Sequence, residues 1–176
     1  MATNVETPQE YTQRLLSYIE KKDPRQVLEA TPHRLREIAS ATPVERLRRK
    51  PAPGKWSVAE IMAHLAEAEV VGSWRIRLVL AHNGSPMQAY DQEAWAANFR
   101  YDAVDPSHAV EQFTAARIAN LRLLDRVDSK LHDNYGMHAE RGRETVTRIV
   151  ELYAGHDLNH LMQIDRILAE GSARVS

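Results

Sequence analysis

Cysteine is absent from this sequence. Its absence excludes disulfide bonds, zinc sites built on thiolates and catalysis by a cysteine nucleophile. Histidine and the carboxylates are then the only strong metal ligands available. Any metal site in this protein must therefore consist of nitrogen and oxygen atoms.

Long apolar segments are also missing. No apolar run approaches the roughly 20 residues that a membrane-spanning helix needs. The first residues, MATNVETPQEYTQRLL, have neither the basic region nor the apolar region of a signal peptide. We therefore expect a soluble, cytoplasmic protein with no membrane partner.

Neither sign of charge dominates the chain. The formal net charge is -1 at pH 7, and lysine and arginine are spread along the whole sequence. This distribution favours neither a nucleic-acid-binding patch nor an acidic tail, so small molecules remain the open class of ligand. A chain of 176 residues with 43% hydrophobic content can bury one good core. We expect a single domain, residues 1–176.

Helical periodicity is what the sequence has in abundance. Apolar residues recur every three or four positions, and alternating strand-like runs are scarce, which predicts an all-α fold. A first helix is predicted over residues 8–22, followed by a short helical stretch around Val27 and Leu28. Thr31 followed by Pro32 is typical of an N-cap and a first helical position, and predicts a new helix there. The proline-rich residues 42–55 then predict a connector.

The second half of the chain continues the pattern. Ser57 and Glu60 fit a capping box at the start of a long helix that ends near His82. Further helices are predicted over residues 93–98, 105–127 and 144–170, the last stopping at Gly171, with polar connectors between them. The four substantial amphipathic helices together predict a helical bundle, whose interior can hold a site built from facing side chains.

The last helix contains the segment AGHDLNHLMQI, in which His156 and His160 are four residues apart. This spacing places both imidazoles on one face, where they could bind a common ion. An isolated pair of this kind is more often structural than metal-binding. Asp157 falls near the centre of the apolar stripe, so its carboxylate needs a partner: a ligating imidazole or a basic side chain across the bundle.

A third candidate ligand is His64, on the flank of the long helix after Ser57. The small residues Ala63, Ala68 and Gly72 leave room beside it for an interhelical cavity. By default we expect the other histidines, with His138 the least certain, and the acidic and basic side chains of the helices and connectors to be solvated. These residues are His33, His82, His108, His132, His138, Glu67, Glu69, Arg75, Arg77, Arg141 and Arg143. The four arginines could alternatively face an anionic group.

The pair of segments GKWSVAEIMAHLAEAE and ELYAGHDLNHLMQI resembles the DinB-like superfamily. In that family a Trp-Ser motif opens the helix with the first histidine, and an H-x-x-x-H motif lies in the last long helix. The matching positions here are His64, His156 and His160. QAYDQEAWA resembles the Tyr-Asp-x-x-x-Trp-Ala loop of the YfiT-like branch of metal-dependent hydrolases. AGHDLNH departs from the commoner Trp-His-Gly-Arg-His-His of that branch, which leaves the ligand positions intact and the substrate open.

The resemblance implies a four-helix bundle with short additional helices, and a divalent ion on three histidines. Nitrogen ligands suit zinc, nickel, iron or cobalt, of which we expect Zn²⁺ or Ni²⁺. The resemblance also implies a homodimer and a small-molecule substrate. Some branches use low-molecular-weight thiols as cosubstrates, so both a metal-dependent hydrolase and a thiol-dependent transferase are open. Asp157 would orient a ligand, and Glu67 or Asp91 would contact substrate or shuttle a proton. The competing interpretations are a non-catalytic metal-binding or dimerisation module, and a fold that binds no metal.

Overall fold

Seven α-helices and three short β-strands make up residues 6–173, the part of the chain that the computed structural model describes. The helices are α1 (Pro8–Ser17), α2 (Pro24–Ala41), α3 (Val44–Leu47), α4 (Val58–Ala81), α5 (Gln92–Asn98), α6 (Pro106–Arg126) and α7 (Val146–Ala173). The strands are β1 (Ser85–Met87), β2 (Tyr135–His138) and β3 (Gly142–Thr145). Single 3-10 turns cover Tyr101–Ala103 and Ser129–Asp133.

The four long helices α2, α4, α6 and α7 form a bundle. Within the bundle, α2 packs against α6 and α7, and α4 packs against the same two helices. The helices α6 and α7 therefore lie diagonally opposite each other. The first helix, α1, lies outside this ring against α7. The predicted helical bundle is therefore confirmed. Within residues 6–173, no helix combines the length and the apolar character that a membrane span requires.

The start of α4 is fixed by the predicted capping box. The Glu60 backbone N–H donates to Ser57 Oγ at 3.2 Å, and the Ser57 N–H donates to Glu60 Oε2 at 2.7 Å. These two bonds satisfy amides that the first helical turn leaves without partners. The register of α4, and hence the direction of His64, follows from this cap.

The predicted helix start at Thr31 and Pro32 is wrong, because α2 runs through both residues. Proline has no N–H to donate to the carbonyl four residues earlier, which is that of Leu28. In the structure this carbonyl accepts a hydrogen bond from Arg117 Nη1 at 3.0 Å instead. The Thr31 hydroxyl donates to the Val27 carbonyl at 2.9 Å. A tertiary contact thus compensates for the proline, and sequence-local rules do not include such contacts.

Other boundaries differ by smaller amounts. The first helix ends at Ser17 rather than near Lys22, and residues 18–22 form turns. The connector over residues 42–55 contains the single-turn helix α3. The last helix begins at Val146 and continues past the predicted stop at Gly171 to Ala173.

A small three-stranded sheet, in the order β1-β2-β3, is the main feature that the helical pattern did not predict. Strands β1 and β2 are parallel, with Ser85 opposite Gly136, whereas β2 and β3 form an antiparallel hairpin. Gly142 closes the hairpin with a φ of 77°, a conformation that favours glycine. The hairpin places His138 and Arg141 beside the bundle, where both line a cavity.

The interior of the bundle has apolar ends and a polar middle. One apolar cluster includes Ile61, Leu65 and Ile164, and another includes Ile76, Val79 and Ile149. Charged and histidine side chains occupy the intervening turns of α4 and α7. The candidate site is therefore built into the core, between two layers that hold the helices together.

Candidate metal centre

Three histidines from two helices meet in the polar layer. His64 comes from α4, and His156 and His160 come from successive turns of α7. The Nε2 atoms of His64 and His156 are 3.1 Å apart, and those of His156 and His160 are 3.2 Å apart. The structure thus brings together the three residues that the sequence singled out.

The distances within this cluster are those of ligands around one ion. Two nitrogens bound at 2.0 to 2.1 Å to a tetrahedral metal lie about 3.3 Å from each other. All three potential ligand atoms lie within 4.8 Å of one another. Among the described residues, no cysteine or carboxylate joins the group. The donor set is therefore purely imidazole, which suits zinc, nickel, copper and iron.

Each imidazole of the cluster is held in the neutral form that metal binding needs. Burial lowers the pKa of His64 to about 3 and the pKa of His160 to about 4. Burial, together with the neighbouring His160 and His64, holds the pKa of His156 well below its usual value. Near neutral pH, three uncharged rings therefore converge, and their Nε2 lone pairs can be shared with a cation.

The hydrogen bonds of the other ring nitrogens support this arrangement. His160 Nδ1 lies 3.0 Å from Gln163 Oε1, an acceptor, so Nδ1 carries the proton and Nε2 keeps its lone pair. Such an outer bond fixes the tautomer and orientation of a ligating histidine. His64 Nδ1 is buried without a partner among the described residues, and the ring packs at 5.0 Å between centroids against Trp56. The residues present thus fit a divalent cation.

A cavity of about 430 Å³ opens beside the histidine cluster and includes His156 in its wall. Residues of α1 form one side, among them Tyr11 and Leu15, and the residues around α5 contribute Tyr90 and Asp91. This volume is in the range of sites for small organic ligands. A molecule in the cavity would contact the same side chain that belongs to the candidate metal centre.

Comparison with known proteins agrees with this geometry. Residues 27–164 match the model of the DinB superfamily. The chain belongs to the DinB superfamily. A protein of Oceanobacillus iheyensis, named "Putative metal-dependent hydrolase", is 25% identical over 146 residues, covering 82% of this chain and 83% of that protein. YfiT of Bacillus subtilis bears the same description and is 26% identical over 147 residues, covering 81% and 80% of the two chains.

The fold is also that of a solved structure. YfiT from Bacillus subtilis, described as a probable metal-dependent hydrolase with an unusual four-helix bundle topology, superposes with a TM-score of 0.77. The match covers 98% of this chain and 93% of that chain at 18% identity. The similarity establishes that the two chains share the same overall fold.

Asp157 finds its partner across the bundle rather than in the histidine cluster. Both of its carboxylate oxygens accept from Arg117, at 2.6 and 3.1 Å, and the side chain is 1% exposed. Of the two partners that the sequence left open, the basic side chain is the one observed. Burial raises the pKa of Asp157, against the opposing effect of Arg117.

Arg117 also binds a second buried carboxylate, that of Glu69, at 2.8 and 3.0 Å. Glu69 is 3% exposed, so its expected place in solvent is wrong. Asn120 Nδ2 donates to the same carboxylate at 2.7 Å. Burial acts to lower the pKa of Arg117, but Asp157 and Glu69 outweigh it and raise that pKa. The guanidinium is therefore a permanent positive charge between two acids.

The two remaining acidic candidates lie apart from this network. Glu67 is half-buried and accepts from Gln112 Nε2 at 3.1 Å. Asp91 caps α5, accepting from the backbone N–H groups of Glu93 and Ala94 at 3.0 Å, and it also lines the cavity. Asp91 is thus placed where it can meet a ligand, whereas Glu67 is not among the cavity residues.

The expected solvent exposure was wrong for two residues that line the cavity. His138 is 3% exposed and Arg75 is 6% exposed, so both were wrongly expected in solvent, and both line the cavity. His33, His82 and His108 are exposed as expected, whereas His132 is half-buried. The other three arginines have partners: Arg77 donates to Asn120, Arg141 pairs with Glu144, and Arg143 lies over the Tyr135 ring.

Proposed function

We propose that His64, His156 and His160 bind one divalent metal ion, Zn²⁺ or Ni²⁺, and that the protein is an enzyme acting on a small electrophilic molecule. The observation that carries the proposal is the double position of His156. Its Nε2 belongs to the converging cluster, and its side chain also lines the 430 Å³ cavity. A buried structural ion would have no need of such an opening.

Three imidazoles with no fourth protein ligand among residues 6–173 form the open arrangement of catalytic metal sites. A bound divalent ion would supply Lewis acidity, making a nucleophile available at neutral pH from water or from a thiol. The chain's own residues would hold the ion, orient the ligating rings and shape the cavity. Gln163 would orient the His160 ring through its bond to Nδ1.

The nucleophile defines the reaction class. Attack by water would make the protein a hydrolase, in agreement with the names of its relatives. Attack by a low-molecular-weight thiol would make it a transferase, and the thiol would come from a cosubstrate because the chain contains no cysteine. An assay of activated esters and of alkyl halides, each with and without added thiol, distinguishes the two. Turnover without thiol supports the hydrolase, and turnover only with thiol supports the transferase.

Three acidic residues are proposed to assist. Asp157, next to His156 in α7, would act as a positioning residue through its ion pair with Arg117. Asp91 would contact the substrate, since it lines the cavity. Glu67 would shuttle a proton, one helical turn from His64 on α4. Replacement of each by its amide, with kcat and KM measured separately, tests these assignments.

Metal content tests the site directly. We expect about one divalent ion per chain after reconstitution, and loss of most of it in His64→Ala, His156→Ala and His160→Ala. The exposed His33→Ala is the matched control and should keep its ion. Gln163→Leu retains all three ligands and should weaken the affinity by about 10- to 100-fold. Undiminished metal in all three ligand variants would overturn the proposal.

A non-catalytic role is the competing proposal, in which the ion only staples helices or supports dimerisation. Retained metal with no turnover in either assay, together with a large loss of stability on chelation, would favour it.

We further propose a homodimer, because Val70 and Trp74 leave 44% and 64% of their surface exposed one turn apart on α4. The mass in solution tests this. A single domain and a cytoplasmic location stay predictions.

A further inference from the structure

A second polar cluster, Arg75 and His138, lies in the wall of the same cavity. Arg75 comes from the middle of α4, and His138 is the last residue of β2. Arg75 Nη2 donates to the Gln88 carbonyl at 2.6 Å and lies 3.1 Å from His138 Nε2. Both side chains are more than nine-tenths buried. The proposed function does not use either of them.

Both ring nitrogens of His138 face donors. The Glu140 backbone N–H lies 3.2 Å from His138 Nδ1, and Arg75 Nη2, which can only donate, lies 3.1 Å from His138 Nε2. Burial, with the nearby Arg141 and Arg75, lowers the pKa of His138 to about 4, so the ring is neutral at pH 7. A neutral imidazole has only one lone pair, so His138 cannot accept from both Arg75 and Glu140, and this group has more N–H donors than acceptors.

The charge of Arg75 is also uncompensated. Among the described residues, no carboxylate lies within ion-pair distance of it. The neighbouring Arg141 is already paired with Glu144, at 2.5 Å. A buried cation without an anion is costly unless something else supplies the negative charge. Two donors and one unbalanced positive charge, in the wall of a cavity, define a site for a small oxyanion.

We propose that Arg75 and His138 bind a carboxylate group of the small-molecule ligand that occupies this cavity. One carboxylate oxygen accepts from Arg75 and the other from the His138 ring in its Nε2–H tautomer, and one negative charge matches the single unpaired guanidinium. The remainder of the ligand extends within the cavity that His156 also lines. The assignment of this ligand as the substrate rests on the proposed function, but the binding of the carboxylate does not.

Binding of matched acids and amides tests the site without knowledge of the natural substrate. Succinate and acetate are titrated into the protein by calorimetry, beside succinamide and acetamide, which have the same size and no charge. We expect the acids to bind at least about tenfold more tightly than the amides. Arg75→Gln and His138→Gln should each remove most of this difference. Arg122→Gln, which removes an exposed arginine of α6 outside the cavity, should leave it intact.

The result that overturns the proposal is equal binding of acids and amides to the unaltered protein, which needs no variant to fold. Arg75→Lys keeps the charge, and retention of part of the preference in it supports the assignment. Inorganic phosphate is the third probe. Binding of phosphate in clear preference to both acids would identify a phosphoryl site and overturn the carboxylate assignment.

The metal-free His64→Ala variant separates this site from the metal centre. Acid binding that persists in His64→Ala and disappears in Arg75→Gln supports the carboxylate site even if the metal proposal fails. Acid binding that disappears in His64→Ala and persists in Arg75→Gln means that the carboxylate binds the metal, and overturns the inference.

Discussion

The imidazoles of the histidine cluster combine burial with closely opposed nitrogens. His64 is 1% exposed and His160 is 8% exposed, and both are neutral near pH 7 because burial depresses their pKa values to about 3 and about 4. In solvent, such residues would take up a proton near their ordinary value of 6.5. In mild acid these two histidines therefore stay unprotonated in the folded chain, whereas in the unfolded chain they bind protons.

This difference predicts how the stability of the metal-free protein depends on pH. Below pH 6.5, His64 and His160 bind protons in the unfolded chain but not in the folded chain. The free energy of unfolding therefore falls as the pH drops from 6.5 towards 4. The loss is at most about 1.4 kcal/mol per pH unit for each histidine. Urea unfolding of the metal-free protein above and below pH 6.5 measures it.

The matching variant is His160→Gln, which is uncharged at every pH. Its free energy of unfolding should fall less steeply over the same range than that of the unaltered protein. An identical pH dependence in the two proteins would mean that His160 does not resist protonation when the chain is folded.

A single polar residue within an apolar helical stripe indicates a buried side chain that needs a partner. Glu69 follows Met62 and Leu65 at the spacing of a buried face, and Arg117 follows Val110 and Phe113 in the same way. Asp157 was recognised by this criterion. Applied equally to α4 and α6, it predicts that Glu69 and Arg117 are buried and need partners of opposite charge, as the structure has them.

Contacts between elements depend on where the backbones come close. At Gly155 of α7, an added Cβ would lie 2.3 Å from the Leu15 carbonyl oxygen of α1. At Gly72 of α4, it would lie 2.5 Å from the Tyr153 ring, whose hydroxyl donates to the Ala68 carbonyl at 3.0 Å. The small residue at position 72 thus admits Tyr153, a wall of the cavity, against α4. Gly155 similarly lets α1, which also lines the cavity, approach α7 closely.

Gly155→Ala is predicted to destabilise the protein although alanine is the better helix former. The clash involves a backbone oxygen that cannot rotate away, and overpacking of this kind costs about 1 to 3 kcal/mol. It should outweigh the gain of about 1 kcal/mol in helix propensity. Because α1 must shift, succinate binding in the cavity should weaken as well. Chemical unfolding and calorimetry measure the two effects, and a net gain in stability would contradict the predicted close packing.

For the molecule as a whole, one guanidinium connects all four bundle helices. Arg117 of α6 binds Glu69 of α4, Asp157 of α7 and the Leu28 carbonyl of α2. The bond to Asp157 crosses the diagonal between α6 and α7, which do not pack closely along their lengths. The network therefore fixes the mutual position of α4 and α7, the two helices that supply the histidines.

Removal of the Arg117 guanidinium should strongly lower the free energy of unfolding. Arg117→Leu leaves two buried carboxylates without their cation and the Leu28 carbonyl without its donor, and loss of one partner from a buried ion pair costs about 3 to 5 kcal/mol. Arg122→Leu, at an exposed position of the same helix, should change the free energy of unfolding by no more than about 0.5 kcal/mol. Urea unfolding of both variants tests the prediction, and similar small effects would show that the network contributes little to stability.

The sequence by itself determined the long helices apart from the start of α2, the α4 cap and the His156–His160 pair, because each depends on spacing along one helix and on local hydrogen bonds. That His64 joins the pair was implied only by the resemblance to the DinB-like superfamily. The sequence did not determine the β1-β2-β3 sheet, whose strands are only three or four residues long and whose β1–β2 pairing spans some 50 residues of chain. Nor did it determine the continuity of α2 through Pro32, which depends on a donor from α6.

Only the tertiary structure decided which side chains share the cavity with His156. The burial of Arg75 and His138 results from the sheet packing against α4, and their shared need for an acceptor appears only when both are placed in three dimensions. Helical periodicity reports which face of an element is buried. It does not report which element covers that face, and the covering element determines the partners of a buried charge.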